Sequence, residues 1–161
     1  MATQLTKHFS LEELTYTSNT RYQERNREYG KRYMHKLKTQ AEFLEHVRDL
    51  LGSPLIVTSG VRCPELNKAV GGVATSQHLS CEATDVIPTK MSVPDAFQMI
   101  YESGISYDQM ILEQVGIKSW LHLSNRGLLN RREALVYNGR KYVRYNGVNN
   151  GESDRIGRKN N

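Results

Sequence analysis

The sequence predicts an α+β fold, with N-terminal helices packed on a small, mainly antiparallel sheet. Two observations predict it. Between residues 32 and 51 the apolar residues Met34, Leu37, Ala41, Leu44, Val47 and Leu51 recur at three- and four-residue steps, the period of a helix with one buried face. After residue 54 the pattern changes to short β-branched or alternating runs separated by turns rich in glycine, proline and asparagine. A length of 161 residues suits one domain around one core, and no repeat or linker divides it, so residues 1–161 are read as a single unit.

The elements follow in order. In HFSLEEL, Ser10 is placed to cap a helix, Glu13 sits at the capping-box position, and Phe9 and Leu14 can close a staple across them. TYTSNTRYQERNREYG is polar and reads as an irregular connection. The long helix over 32–51 is stopped by Gly52-Ser53-Pro54. LIVTSG reads as a strand ending in a turn, CPELNKAVGG as a short helix closed by Gly71-Gly72, and ATDVI as a buried strand. Ser92 and Val93-Pro94 open a helix that runs to about Ser103, with Gly104 as its C-cap. YDQMILEQ and SWLHLS are two strands joined by Val115-Gly116-Ile117-Lys118. ALVYNGRKYVRY predicts a hairpin turning at Asn138-Gly139. The polar end, from about residue 147, is expected to be a basic and partly flexible tail.

The formal charge of +5 favours acidic partners such as cell-wall polymers or nucleic acid. It is concentrated late: residues 126–161 hold nine Lys/Arg against three Asp/Glu. No interleaved aromatic or groove-reading motif accompanies that charge beyond Tyr137, Tyr142 and Tyr145, so specific nucleic-acid binding is not expected. No apolar run approaches the roughly 20 residues that span a bilayer. The first residues lack the layout of a signal peptide, which predicts synthesis in the cytoplasm. Two cysteines, Cys63 and Cys81, are too few for a disulfide framework.

The densest chemistry lies in SQHLSCEATD, residues 76–85, which holds His78, Cys81, Glu82 and Asp85. A catalytic zinc needs three protein ligands, commonly imidazole and carboxylate, and one open position. His78 and Asp85 lie on a loop leading into a strand. Of the other histidines, His8 is beside a helix cap and His35 and His46 are on a charged helix, which leaves His122 in the alternating run Trp120-Leu121-His122-Leu123-Ser124. Alternation puts Trp120, His122 and Ser124 on one face, and Gln109, Ile111 and Glu113 on one face of the preceding strand. With residue 114 opposite 119, Glu113 faces Trp120 and Ile111 faces His122. Glu113 and His122 are then diagonal neighbours about 7 Å apart, close enough for the carboxylate to take a proton from a metal-activated water. Glu82 alternates to the surface.

These residues resemble the zinc D-alanyl-D-alanine carboxypeptidase and peptidoglycan endopeptidase family, in a superfamily with lysostaphin-type enzymes and hedgehog domains. SQHLSCEATD fits its pattern S-x-H-x-x-G-x-A-x-D. HFSLEELTYTS, TSGVRCPELNKAVGG and YDQMILE…SWLHLS are similar to further segments of the family in the same order, over roughly residues 8–130. The resemblance implies one zinc ion on His78, Asp85 and His122. It makes Arg62 the guanidinium that polarises the scissile carbonyl or holds a substrate carboxylate. Ser59, Ser76, Gln77 and Trp120 become candidate substrate contacts. Two departures stand out. Many relatives place a Glu or His base shortly before the last ligand, where this chain has Trp120, which leaves Glu113 for that role. Cys81 occupies the motif's glycine position and Cys63 a small-residue position, so Cys81 is either a small buried residue, a fourth ligand that would close the site, or half of a bridge to Cys63.

The function so implied is hydrolysis of an amide bond in peptidoglycan stem peptides, as a D-Ala-D-Ala carboxypeptidase or an endopeptidase. The expected setting is a bacteriophage endolysin, released to the wall by lysis or a holin, or a virion component, acting as a monomer. The alternative is a non-catalytic, zinc-stabilised binding or structural module on the same fold.

Overall fold

A computed structural model describes residues 2–147; the tail expected from about residue 147 lies, beyond that residue, outside the described residues. Six strands, β1 (Leu55–Ser59), β2 (Ala83–Pro88), β3 (Gln109–Val115), β4 (Lys118–Ser124), β5 (Glu133–Tyr137) and β6 (Tyr142–Arg144), form one sheet in the order β1-β2-β4-β3-β5-β6. Every pairing is antiparallel except that of β3 with β5. The helices are α1 (Leu11–Leu14), α2 (Gln23–Lys31), α3 (Met34–Leu51), α4 (Pro64–Ala69) and α5 (Val93–Ser103).

Period-2 alternation divides the labour of the central strands. Val86, Met110, Leu112, Leu121, Leu123, Ala134 and Val136 point to one face and join the core with Leu37, Leu44 and Val47 of α3 and Phe97 and Ile100 of α5. Their neighbours Asp85, Ile111, Glu113, Trp120 and His122 therefore point to the opposite face. The long helix keeps its expected apolar stripe and ends at Gly52, whose φ of 60° suits a residue without a Cβ. It also carries a buried polar residue: Gln40 Nε2 donates to Thr84 Oγ1 at 2.9 Å and to the Leu123 carbonyl at 3.2 Å, tying α3 to β2 and β4.

The caps form as the sequence indicates. Ser10 Oγ accepts from the Glu13 amide at 3.2 Å, and Ser92 Oγ accepts from the Asp95 amide at 3.2 Å. The segment expected to be irregular is different: residues 20–22 form a 3₁₀ turn and 23–31 form α2. An apolar stripe does not mark this helix, because a polar residue anchors it. Asn26 is fully buried, and its Nδ2 donates to the carbonyls of Thr15 at 2.7 Å and Val61 at 2.8 Å while its Oδ1 accepts from the Cys63 amide at 2.8 Å. One side chain thus satisfies three backbone groups from two other segments.

Two connections differ in detail. The β3–β4 link is tighter than four residues, because Val115 pairs with Lys118 and only Gly116 and Ile117 turn. The added pair keeps the parity, so Glu113 faces Trp120 and Ile111 faces His122 as expected. The β5–β6 hairpin does not turn on Asn138-Gly139 alone. Tyr137 pairs with Tyr142, so residues 138–141 form the loop. Asn138 Oδ1 accepts from the amides of Arg140 and Lys141, both at 3.1 Å, and its side chain does the work of a second turn carbonyl.

Candidate metal centre

Three backbone decisions bring His78, Asp85 and His122 together. Asp85 and His122 are direct cross-strand partners of β2 and β4. His78 sits in the loop before β2, and its carbonyl accepts from the Arg62 amide at 3.1 Å. Its ring Nδ1 lies 2.6 Å from the Gly60 carbonyl. Gly60 can pack against the end of α1 because it has no Cβ; one there would collide with the Leu14 carbonyl, which is itself bonded to the Val61 amide at 2.7 Å. The end of α1 therefore sets the loop after β1, and that loop sets the histidine.

The donor atoms of the three residues all lie within 4.8 Å of one another. Asp85 Oδ1 is 3.4 Å from His78 Nε2 and 3.1 Å from His122 Nδ1. Those two spacings are close to the about 3.3 Å edge of a tetrahedron with bonds of about 2.0–2.1 Å. A carbonyl can only accept, so His78 Nδ1 carries a proton there and Nε2 is the ring atom left facing the carboxylate, the arrangement by which a backbone carbonyl orients a metal-binding imidazole. Two imidazoles and one carboxylate, with no fourth protein donor among the described residues, are the ligand set of a catalytic zinc, and the residues fit that ion.

Burial opposes the charge of Asp85, but the two imidazoles outweigh it and hold the carboxyl well below the usual carboxylate range. Glu113 is shifted the other way. Burial pushes its pKa up, the nearby Asp85 charge adds to that, and His122 and the Tyr142 hydroxyl partly offset both. Burial lowers the pKa of Arg62, while Asp85 supports its charge.

The three donors line a cleft of about 780 Å³ together with Arg62, Ser76, Gln77, Glu113, Trp120 and Tyr142. Arg62 makes no ion pair within 4 Å among the described residues, and its Nε is buried without a partner. Ser76 Oγ accepts from the His78 amide at 3.3 Å. Ser59, a candidate substrate contact, is instead the last residue of β1 opposite Asp85 and does not line the cleft. Glu82, assigned to the surface by alternation, is partly buried at the rim, where Arg126 approaches it at 3.8 Å.

One supporting group escaped the sequence reading. Gln77 Nε2 donates to Asp108 Oδ2 at 2.6 Å. The fully buried Asp108 also receives the Arg131 Nε at 3.0 Å, Nη2 at 2.9 Å and backbone amide at 3.1 Å. Burial opposes ionisation of Asp108, yet these donors hold its pKa down at about 2. The connection between β4 and β5, through Arg131, and the metal loop, through Gln77, are thereby clamped by one carboxylate just before β3. Arg131 lies far from Gln77 in the chain, and no local pattern announces the pairing.

Neither cysteine is a ligand or a disulfide partner. Cys63 and Cys81 are free and buried, and Cys81 packs into the core cluster rather than joining the three donors. Its φ of 60° explains the glycine of the motif, since this left-handed conformation strains a side chain by roughly 1–2 kcal/mol. Cys81→Gly exchanges that strain for a small cavity and should stay within about 1 kcal/mol of the parent, whereas the β-branched Cys81→Val should lose about 2–3 kcal/mol. Urea unfolding checks both; equal losses would show that packing of the thiol, not its backbone, governs the position.

The sequence model of the family described as Peptidase M15 matches residues 7–124, from before α1 to the last residue of β4. No curated protein matches the chain. The matched span contains the three donors, Arg62 and Glu113, and stops short of β5 and β6. With well over half its length matched and the donor set in place, the chain belongs to the peptidase M15 family.

Proposed function

We propose that the protein hydrolyses an amide bond in the stem peptides of peptidoglycan, using one zinc ion held by His78, Asp85 and His122. The observation that carries this reading is the convergence of three donors on a cleft that also holds an unpaired arginine and a carboxylate of raised pKa. When bound, zinc supplies Lewis-acid polarisation of the carbonyl and a water of lowered pKa.

The chain's own groups do the rest. Glu113 accepts the proton of the attacking water and returns it to the leaving amine, and its raised pKa brings it closer to the working range of a general acid–base. Arg62 turns unpaired N–H donors toward the carbonyl oxygen as charge develops there. Gln77, clamped by Asp108, and Ser76 border the peptide beside His78, and Trp120 supplies an apolar wall. The net positive charge suits an anionic wall polymer, and among the described residues no helix is long and apolar enough to cross a membrane. A monomeric bacteriophage lysis enzyme or a wall-penetrating virion component is the setting most consistent with these features. The non-catalytic module is less well supported, because Cys81 stands outside the donor set and leaves one coordination position without a protein ligand.

The test is digestion of purified peptidoglycan by zinc-loaded protein, with products identified by mass spectrometry. Free D-alanine identifies a carboxypeptidase, and new amines within shortened stems identify an endopeptidase. Zinc bound without any new amine would refute the reading and favour the module.

A further inference from the structure

We infer that Tyr142, carried on the hairpin beyond the family-matched span, is a positioning residue for the Glu113 carboxylate; the inference rests on the peptidase reading above.

Strand register places it there. Glu113 pairs with Trp120 on one side and with Tyr137 of β5 on the other, and Tyr137 pairs with Tyr142 of β6. Directly paired residues project to the same face, so Trp120, Glu113, Tyr137 and Tyr142 form one row across the sheet, on the face that carries Asp85 and His122. Within that row the Tyr137 and Tyr142 rings lie with centroids 4.7 Å apart and planes tilted by 37°. Tyr142 leans across Tyr137, and its hydroxyl donates to Glu113 Oε1 at 3.3 Å. Among the described residues the Glu113 side chain has no other hydrogen-bond partner.

A glutamate on a strand has three rotatable side-chain bonds, and nothing else in the cleft fixes this one. The Tyr142 bond engages Oε1 and leaves Oε2 to take the proton. Burial, followed by the Glu113 charge, pushes the Tyr142 pKa up to about 12, so the phenol stays protonated and remains a donor at working pH. The hydroxyl is desolvated beside Glu113, but Tyr142 as a whole is 54% exposed, so the residue contributes little to core packing. The span from α1 to β4 carries metal, arginine and base, and β5–β6 adds the group that aims the base.

Tyr142→Phe keeps the ring and removes only the donor. The expected result on peptidoglycan fragments is a fall in kcat of about tenfold with KM and zinc content unchanged, since small misplacements of a reacting group are costly. The decisive measurement repeats the substitution in a Glu113→Asp background, where the shortened carboxylate no longer reaches the hydroxyl. There Tyr142→Phe should change kcat less than about twofold, because the two groups act as one unit. Equal losses in both backgrounds would overturn the inference and assign Tyr142 to substrate contact. Parental kcat in Tyr142→Phe alongside an impaired Glu113→Gln would overturn this inference alone. Full activity in Glu113→Gln would overturn the base assignment and the inference with it, and no cleavage by the zinc-loaded parent would overturn the peptidase reading itself.

Discussion

Replacing His78 by alanine is expected to abolish zinc binding and to lower cleavage of peptidoglycan by more than about 10³-fold, because water activation and carbonyl polarisation disappear together. The size of the effect follows from how the ligand is held. His78 is 2% exposed, and its Nδ1 is committed to the Gly60 carbonyl. Loss of the ring leaves Asp85 and His122, two donors 3.1 Å apart, which cannot enclose a tetrahedral ion. A buried ring is also lost, so activity alone would not separate loss of metal from loss of fold. Zinc content by atomic emission, together with thermal unfolding at rising zinc, makes that separation. The parent should gain stability with free zinc, as any ligand that binds only the folded state requires, and His78→Ala should not. A variant that still binds zinc stoichiometrically would remove His78 from the ligand set.

Glu113→Gln is expected to lower kcat by about 10²- to 10⁴-fold while zinc content and fold are retained, the range typical for loss of a general base. The acid limb of kcat/KM in the parent should follow ionisation of Glu113, whose pKa burial and the Asp85 charge raise in the metal-free protein and a bound cation would draw back down. The sign is fixed by role: a base works unprotonated, so activity falls as pH drops through the Glu113 pKa. Stability has the opposite dependence. An acid whose pKa is higher folded than unfolded opposes folding once it ionises, so Glu113→Gln should be no less stable than the parent at neutral pH. Lost activity with undiminished stability is the mark of a residue kept for chemistry. Unchanged kcat would move the base elsewhere and leave the metal assignment standing.

The parts legible in the sequence are those governed by period and parity. The 3.6-residue rhythm of Leu37, Ala41, Leu44 and Val47 gave α3, and the alternation through Trp120, His122 and Ser124 gave the face of β4 on which a ligand could stand. Parity also placed Glu113 opposite Trp120, and it survived an error in the length of the turn. The hidden parts rest on polar contacts between distant residues. Asn26 holds α2 by hydrogen bonds, so the helix has a polar sequence. Asp108 joins Gln77 to Arg131, and Tyr142 reaches Glu113 across an intervening strand. Ser59 is a candidate substrate contact by resemblance, and the turn after β1 separates it from Arg62: Arg62 lines the cleft and Ser59 does not.

The buried thiols have a practical consequence. Cys63 and Cys81 are each 1% exposed, and burial raises both pKa values, that of Cys81 to about 12. A folded molecule therefore shows an alkylating reagent almost no thiolate, and each labelled cysteine records a moment of opening. The two record different doors. Cys63 lies between β1 and α4, against the Asn26 anchor, whereas Cys81 lies in the loop that carries His78. Timing their modification separately, with and without zinc, would turn the chain's only two cysteines into clocks for the scaffold and for the metal loop.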